Sequence, residues 1–371
     1  MATYNWQQKD WPLFSYSLEN VEDELFALTE KIGKITGALN ALPEDSQMAM
    51  IIDMMVSEAL KTSEIEGEYL SRKDVISSIK NNLGLNQQWE KVRDKKSEGI
   101  AELMIDVRNT YAEKLTKEKL FSWHRMLLRD AEDVKVGGWR EHEEPMQVVS
   151  GAMGKEKVHF EAPPSAQVPM EMERFITWFN ETAPGGAHEI RKPPVRSAIA
   201  HLYFESIHPF EDGNGRIGRA ITEKALSQGF GRPVLMSLSK TIEENKSDYY
   251  NALEKAQRSN EVTDWVEYFV KTVLAAQVDA EVQIDFTLKK VKFFDRFKGK
   301  LNERQLKVIN RMLEEGPAGF EGGMNASKYV SLAKVSKATA TRDLQELLQI
   351  GAFSLLGSGG GRSTRYRVNL G

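Results

Sequence analysis

Residues 208–219 read HPFEDGNGRIGR. One His, two acids, three Gly and two Arg fall within a dozen positions, between two stretches of apolar, helix-like sequence. Upstream, Ala200, Tyr203 and Phe204 keep a helical period, and Pro209 disfavours helical backbone at His208, so that helix should end there. Downstream, Ile217, Ala220, Ile221, Ala225 and Leu226 draw the apolar stripe of a second helix, with Asp212 as its expected N-cap. Gly213 and Gly215 permit a tight turn and close approach of a ligand to the backbone. The stretch is a polar joint between two helices.

Working outward, the 3.6-residue period recurs over 19–39, over 48–60 and up to a glycine stop at Gly67. It continues over 87–114, over 118–128 behind a Thr116 cap, and over 168–180, 193–206, 214–228, 241–257 and 261–278. The period is lost at 129–165, where β-prone pieces, Gly151, Gly154 and Pro163-Pro164 indicate a hairpin flap. The aromatic start, MATYNWQQKDWPLFSY, reads as an arm packed on the body. Past a basic connector at 286–300, LNERQLKVINRMLEEG is a capped amphipathic helix. Then SLAKVSKATATRDLQELLQIGAF gives helix, turn, helix, and a glycine turn feeds an edge strand. The expected fold is mainly α: a helical core with a β-hairpin flap, plus a C-terminal winged helix-turn-helix domain.

Composition narrows the chemistry. The chain has 371 residues, 41% apolar, with 28% charged and a net charge of -4, which suits a globular protein rather than one coating an anionic polymer or membrane. It has no Cys, which removes disulfide, thiolate and Cys-metal chemistry. The longest apolar run, MAMIIDMMV, is interrupted by Asp53 and too short for a bilayer. The acidic start does not resemble a signal peptide. A cytoplasmic protein, without membrane contact, is the expectation.

At the joint, the first turn of the second helix offers unpaired N–H groups to an anion. Arg216 and Arg219 share a face and fork into one volume. Two guanidiniums at a helix N-terminus suit a polyphosphate better than a lone carboxylate. Asp212 supplies an oxygen for a hard divalent ion such as Mg2+, and His208 can take a proton near neutrality. Singly, each residue is an ordinary cap, turn or solvated charge; together they point to phosphoryl or nucleotidyl transfer.

The stretch resembles the signature of the Fic family, H-x-F-x-D/E-G-N-G-R-x-x-R, at every fixed position. The resemblance implies a Fic-type helical core and protein adenylylation: AMP passes from ATP to a Ser, Thr or Tyr hydroxyl of a target protein or of the chain itself, and pyrophosphate leaves. It implies His208 as general base, Phe210 as loop anchor and Asp212 as the Mg2+ ligand. Gly213, Asn214 and Gly215 would cradle the anion, and Arg216 and Arg219 would grip the β- and γ-phosphates. Thr62 to Gly67, TSEIEG, is similar to the family's inhibitory motif S/T-x-x-x-E-G/N, with Glu66 expected to occupy Arg219 in place of phosphate. The flap, near Met146, Gln147, Val148, Val149 and Ser150, would pair with an extended target segment. Tyr249, Tyr250, Asn251 and Leu253 resemble the helix that closes over the base. His201 and His124 read as core or cap residues.

The resulting division is 1–90 for arm and inhibitory helix, 91–284 for the catalytic core and 285–371 for the winged helix. Lys337, Thr339 and Arg342, behind a Ser336 cap, with Arg362, Arg365 and Arg367 at the wing, could meet DNA or dock a protein. The same site could instead remove AMP or use another nucleotide, or the core could be the nucleotide sensor of a DNA-binding regulator. A homodimer is compatible with the sequence, though no residue marks one.

Overall fold

The computed structural model describes residues 4–150, 157–357 and 364–371. Gly151, Gly154 and Arg362 lie outside the described residues. The helices are α1 Glu22–Asn40, α2 Glu44–Ile65, α3 Arg72–Asn82, α4 Lys95–Asn109, α5 Lys117–Leu127, α6 Val168–Glu181 and α7 Pro193–Ile207. They continue as α8 Asn214–Phe230, α9 Leu238–Glu244, α10 Lys246–Ala256, α11 Thr263–Arg296, α12 Glu303–Leu313, α13 Ala326–Ala333 and α14 Lys337–Gln349. The strands are β1 Gln147–Ser150, β2 Lys157–Glu161, β3 Phe353–Leu355 and β4 Tyr366–Val368. The fold is mainly helical, as expected.

The chain divides into two compact units, Met1–Ile32 with Ile51–Val278, and Gly33–Met50 with Asp279–Gly371. In the first, α7 is the axis. It opens on Pro193-Pro194, whose missing N–H groups cost nothing in a first turn, and it is buried from Pro194 to Ile207. A core of Trp123, Phe175, Phe179, Tyr203, Phe204, Phe210, Ile217 and Ile221 surrounds it. Each such side chain contributes roughly 1.5–3 kcal/mol by leaving water. The aromatic arm packs on this body: Trp11 donates to Glu171 at 2.9 Å and its ring meets Tyr203 edge-on, while Asn5 Nδ2 donates to Ser206 Oγ at 2.8 Å.

The flap is an antiparallel pair, Val148 opposite Phe160, with an irregular step between Val148 and Val149. Its second strand is pinned at its last residue and at its centre. Trp6 donates to Glu161 O at 2.7 Å, and His159 Nδ1 lies 2.6 Å from Glu254 on α10.

The second unit has its own core of Phe293, Phe297, Val308, Ile309, Met312, Leu344, Leu347 and Phe353. Asn302 and Gln305 close α12 with a reciprocal capping box. The Ser336 side chain accepts from Thr339 N–H at 3.2 Å, so the expected cap of α14 forms. A β3–β4 hairpin follows, Phe353 opposite Val368.

Some local expectations fail. The helix read over 87–114 begins only at Lys95, because Asp94 takes extended backbone and its carboxylate accepts from Lys96 and Ser97 N–H. α3 has no counterpart in the periodicity of the sequence, since Val75 and Ile79 are its only large aliphatics fully buried amid polar neighbours. The helix over 241–257 breaks at Asn245, which leaves helical backbone and separates α9 from α10. The helix over 261–278 runs on through the basic connector to Arg296. Among the described residues, no helix is long and apolar enough to cross a membrane.

Candidate active site

α7 ends where Pro209 requires. His208 takes left-handed backbone, φ +50°, and its N–H still closes on Phe204 O at 2.9 Å. The next ring, Phe210, is fully buried between Trp139 and His124, the latter stacked at 4.1 Å. Asn214 ties the loop shut: its Oδ1 accepts from Phe210 N–H at 2.9 Å and its Nδ2 donates to Phe210 O at 2.8 Å. Asn214 therefore braces the loop with both its amide oxygen and its amide nitrogen. Asp212 is not the side-chain cap of α8. Gly213 holds that place at φ +82°, a backbone that only glycine adopts without strain, and Asp212 Oδ1 accepts from Gly213 N–H at 2.6 Å.

His124 and His201 are core residues, as expected. Gly137 N–H donates to His124 Nδ1 at 2.8 Å, so Nε2 carries the proton toward Asp212 O at 3.1 Å. Burial lowers the His124 pKa, which keeps this ring neutral. Burial likewise lowers the His201 pKa, and the ring lies 2.8 Å from the Tyr249 hydroxyl.

A cavity of about 700 Å³ opens at the joint. His208, Asp212, Gly213, Asn214 and Gly215 line one wall; Val148 and Val149 of the flap face in from another. Tyr249, Tyr250, Asn251 and Leu253 of α10 form a third, and Glu66 projects in from the end of α2. Thus most of the residues singled out from sequence meet at one space. Tyr249 offers a ring face alone, because its hydroxyl is committed to His201 and burial raises its pKa. Tyr250, whose hydroxyl is 3.4 Å from Ile65 O, is the more exposed ring. Ser150 ends β1, with backbone paired to Lys157.

Arg216 and Arg219 stand behind the wall instead of in it, only 3% and 2% exposed. Arg219 Nη2 lies 2.7 Å from Glu66 Oε1 and 2.8 Å from Thr62 O, and Nε donates to Thr62 Oγ1 at 2.7 Å. Burial opposes the charge of Arg219, but Glu66, Tyr249 and Glu205 together outweigh it and raise the pKa further. Gly67, at φ +80°, turns the chain out of α2 directly after the acid. A Cβ on Gly215 would collide with Glu66 Oε1, so the carboxylate lies over the first turn of α8, where an anion would bind.

Three charged residues belong to this site that the sequence reading leaves out. Glu68 pairs with Arg216 Nη1, and its other oxygen takes Lys96 Nζ at 2.8 Å. Arg140 is buried and donates to His208 O at 2.8 Å, to Pro163 O at 2.5 Å and to Ser165 Oγ at 2.8 Å. It binds the base of the flap to the end of α7, and burial lowers its pKa to about 10. Glu205 lies one helical turn before His208, with Oε2 3.5 Å from His208 Nδ1. The signal for Glu205 was its i,i+3 spacing; Glu68 and Arg140 lacked one.

Among the described residues, no three acid or His side chains gather to hold a metal by themselves. Asp212 is a cavity-lining carboxylate, 53% exposed in its side chain and 3.3 Å from Arg216. One such oxygen fits magnesium, which keeps waters and takes its remaining ligands from substrate phosphates.

The Fic/DOC family model matches residues 114–226, and a family described as a domain of unknown function, DUF4172, matches residues 4–85. The chain is 27% identical over 165 residues to a protein adenylyltransferase Fic of Nematostella vectensis, spanning 44% of this chain and 34% of that one. A protein of the same name in Drosophila mojavensis is 27% identical over 146 residues, spanning 39% and 25%. The matches thus span between a quarter and about a third of these relatives. Among solved structures, a Fic family protein from Desulfovibrio desulfuricans shares the fold with a TM-score of 0.54 at 20% identity, covering 96% of this chain and 98% of that one. A Fic domain containing signaling protein from Bacteroides thetaiotaomicron gives 0.53 at 19%, covering 72% and 97%.

Proposed function

Since residues 114–226 form a Fic domain, we propose that the chain transfers AMP from ATP to a Ser, Thr or Tyr hydroxyl of a protein, itself included, and that Glu66 holds it inhibited. One observation carries the reading: His208 lines the same cavity as the N-terminal turn of α8, and Glu66 reaches over that turn to Arg219.

His208 takes the proton of the acceptor hydroxyl. The freed oxygen bonds to the α-phosphorus, and the bond from that phosphorus to pyrophosphate breaks. The N–H groups at the start of α8, with Arg216 and Arg219, receive the β- and γ-phosphates once the acids withdraw. Magnesium, bound through Asp212, would neutralise phosphate charge. Asn251 and Tyr250, which line the cavity, would meet the base, and β1 would offer main-chain pairing to an extended target. Glu66 on Arg219 supports inhibition directly, because a phosphate oxygen and that carboxylate need the same donors. A shift of the phosphates by about 1 Å can cost roughly a hundredfold in rate.

The test is incubation of the full chain with α-labelled ATP, magnesium and a lysate. The wild type should label proteins weakly, the Glu66→Gly form strongly and the His208→Ala form not at all. Label absent from the Glu66→Gly form would end the reading.

We read α12 to β4 as a winged helix that selects the target. The exposed face of α14 carries Gln345 and Glu346 beside Lys337 and Arg342, a mixed surface that suits a protein better than DNA. A DNA mobility shift weakening steeply with salt would reverse that preference.

A further inference from the structure

Glu205 is a carboxylate that hydrogen bonding does not explain. Its side chain is 5% exposed, and Oε1 is buried without a hydrogen-bond partner. His208 Nδ1 is buried and unpartnered as well, and the two residues meet at 3.5 Å, an ion-pair contact at the long edge of hydrogen-bond reach. Leaving a charge in that state costs free energy unless something nearby uses it. The charged and titratable groups acting on it are His208 and His201 on its own helix and Arg219 on α8. Tyr249 on α10 also senses it. Burial disfavours its charge, but His208, His201 and Arg219 together hold its pKa below the usual carboxylate range.

The fold also keeps space for this acid. A Cβ on Gly218 would collide with Glu205 Oε1, so the carboxylate occupies the space that a side chain at that position would take. Gln257 Nε2 holds the Glu205 backbone carbonyl at 3.2 Å.

We propose that Glu205 is the positioning residue for His208: it keeps the proton on Nδ1 and fixes the ring so that Nε2 is the atom that accepts the acceptor hydroxyl's proton. The inference rests on the transfer reading above for its chemical consequence, but the tautomer itself does not. When Nε2 gains the proton, the oxygen bonds to the α-phosphorus and pyrophosphate departs. The imidazolium then faces an existing negative charge, and the 3.5 Å contact can tighten into a charge-assisted hydrogen bond. A base oriented by a third group is the recurring logic of activated nucleophiles.

Two measurements on the full chain decide it. In 15N-histidine NMR of the wild type, with His208 assigned by loss of its signals in His208→Ala, the neutral ring should be the Nδ1–H tautomer. It should lose that preference in Glu205→Gln; an Nε2–H ring in the wild type overturns the proposal. In the Glu66→Gly parent, Glu205→Gln should lower kcat about a hundredfold or more with KM for ATP unchanged, and Glu205→Asp should recover part of the loss. A parent that transfers AMP and keeps its kcat after Glu205→Gln also overturns it. A parent that transfers nothing refutes the function proposed above, while the tautomer still decides the role of Glu205. If Glu205→Gln does not fold, the wild-type spectrum and Glu205→Asp carry the decision.

Discussion

Glu66 Oε1 lies 2.7 Å from Arg219 Nη2, and Thr62, one turn earlier, meets the same guanidinium at Nε through its hydroxyl and at Nη2 through its carbonyl. A single helical turn of α2 thus meets Nε and Nη2 together. Replacing Glu66 by Gly removes the carboxylate yet leaves both Thr62 contacts, so Arg219 stays ordered with a donor freed for phosphate. Label transfer should rise about a hundredfold, read as initial rate per enzyme. Thr62→Val, which keeps the carbonyl contact and Glu66, should raise it far less.

Glu68 does to Arg216 what Glu66 does to Arg219, but it is shared with Lys96. Glu68→Ala should stimulate transfer less than Glu66→Gly. Because both acids flank Gly67, their effects should combine non-additively. A double-mutant cycle on initial rates measures the coupling.

Asn214 satisfies both backbone groups of Phe210 inside a buried loop. Asn214→Ala should cost about 1–3 kcal/mol, the penalty for orphaning a buried polar group, seen as a lower midpoint in urea. Asn214→Asp, which restores an acceptor for the N–H but no donor for the carbonyl, should recover part of it.

Glu223 sits near Glu58, and burial followed by that neighbouring charge raises its pKa to about 8, against the partial relief of Arg108. Glu58 itself is occupied by Ser237 and Ser239 at the start of α9. The folded state therefore binds a proton at Glu223 that the unfolded chain has released above its ordinary carboxylate pKa. Stability from this group is full below about pH 4.3 and lost as pH rises toward 8. Glu223→Gln should raise the melting temperature more at pH 8.5 than at pH 5; an equal rise at both values would contradict this.

The joint at 208–219 was legible because its constraints are local: Pro209 ends one helix, Gly213 opens the next, and the polar residues between cannot be buried without purpose. The pairing of Glu66 with Arg219 spans 153 residues and was reached only through the resemblance of TSEIEG to an inhibitory motif. The placement of both arginines behind the cavity wall could not be read, since it depends on where α2 packs. Arg140 was missed for the same reason: nothing near it in sequence announces that its acceptors lie at Pro163, Ile207 and His208. α3 was missed because its buried face is small and partly made of Ser77, Ser78 and Asn81.

The carbonyl of Ile65, the residue just before Glu66, accepts from Lys246 Nζ and lies 3.4 Å from the Tyr250 hydroxyl, both on α10, the helix proposed above to meet the base. The proposed brake and the α10 wall of the pocket therefore share one anchor. By linkage, whatever factor a bound nucleotide gains when the brake is released is the factor by which that nucleotide loosens the brake. Rising ATP would then act on the protein as a partial release signal as well as a reactant.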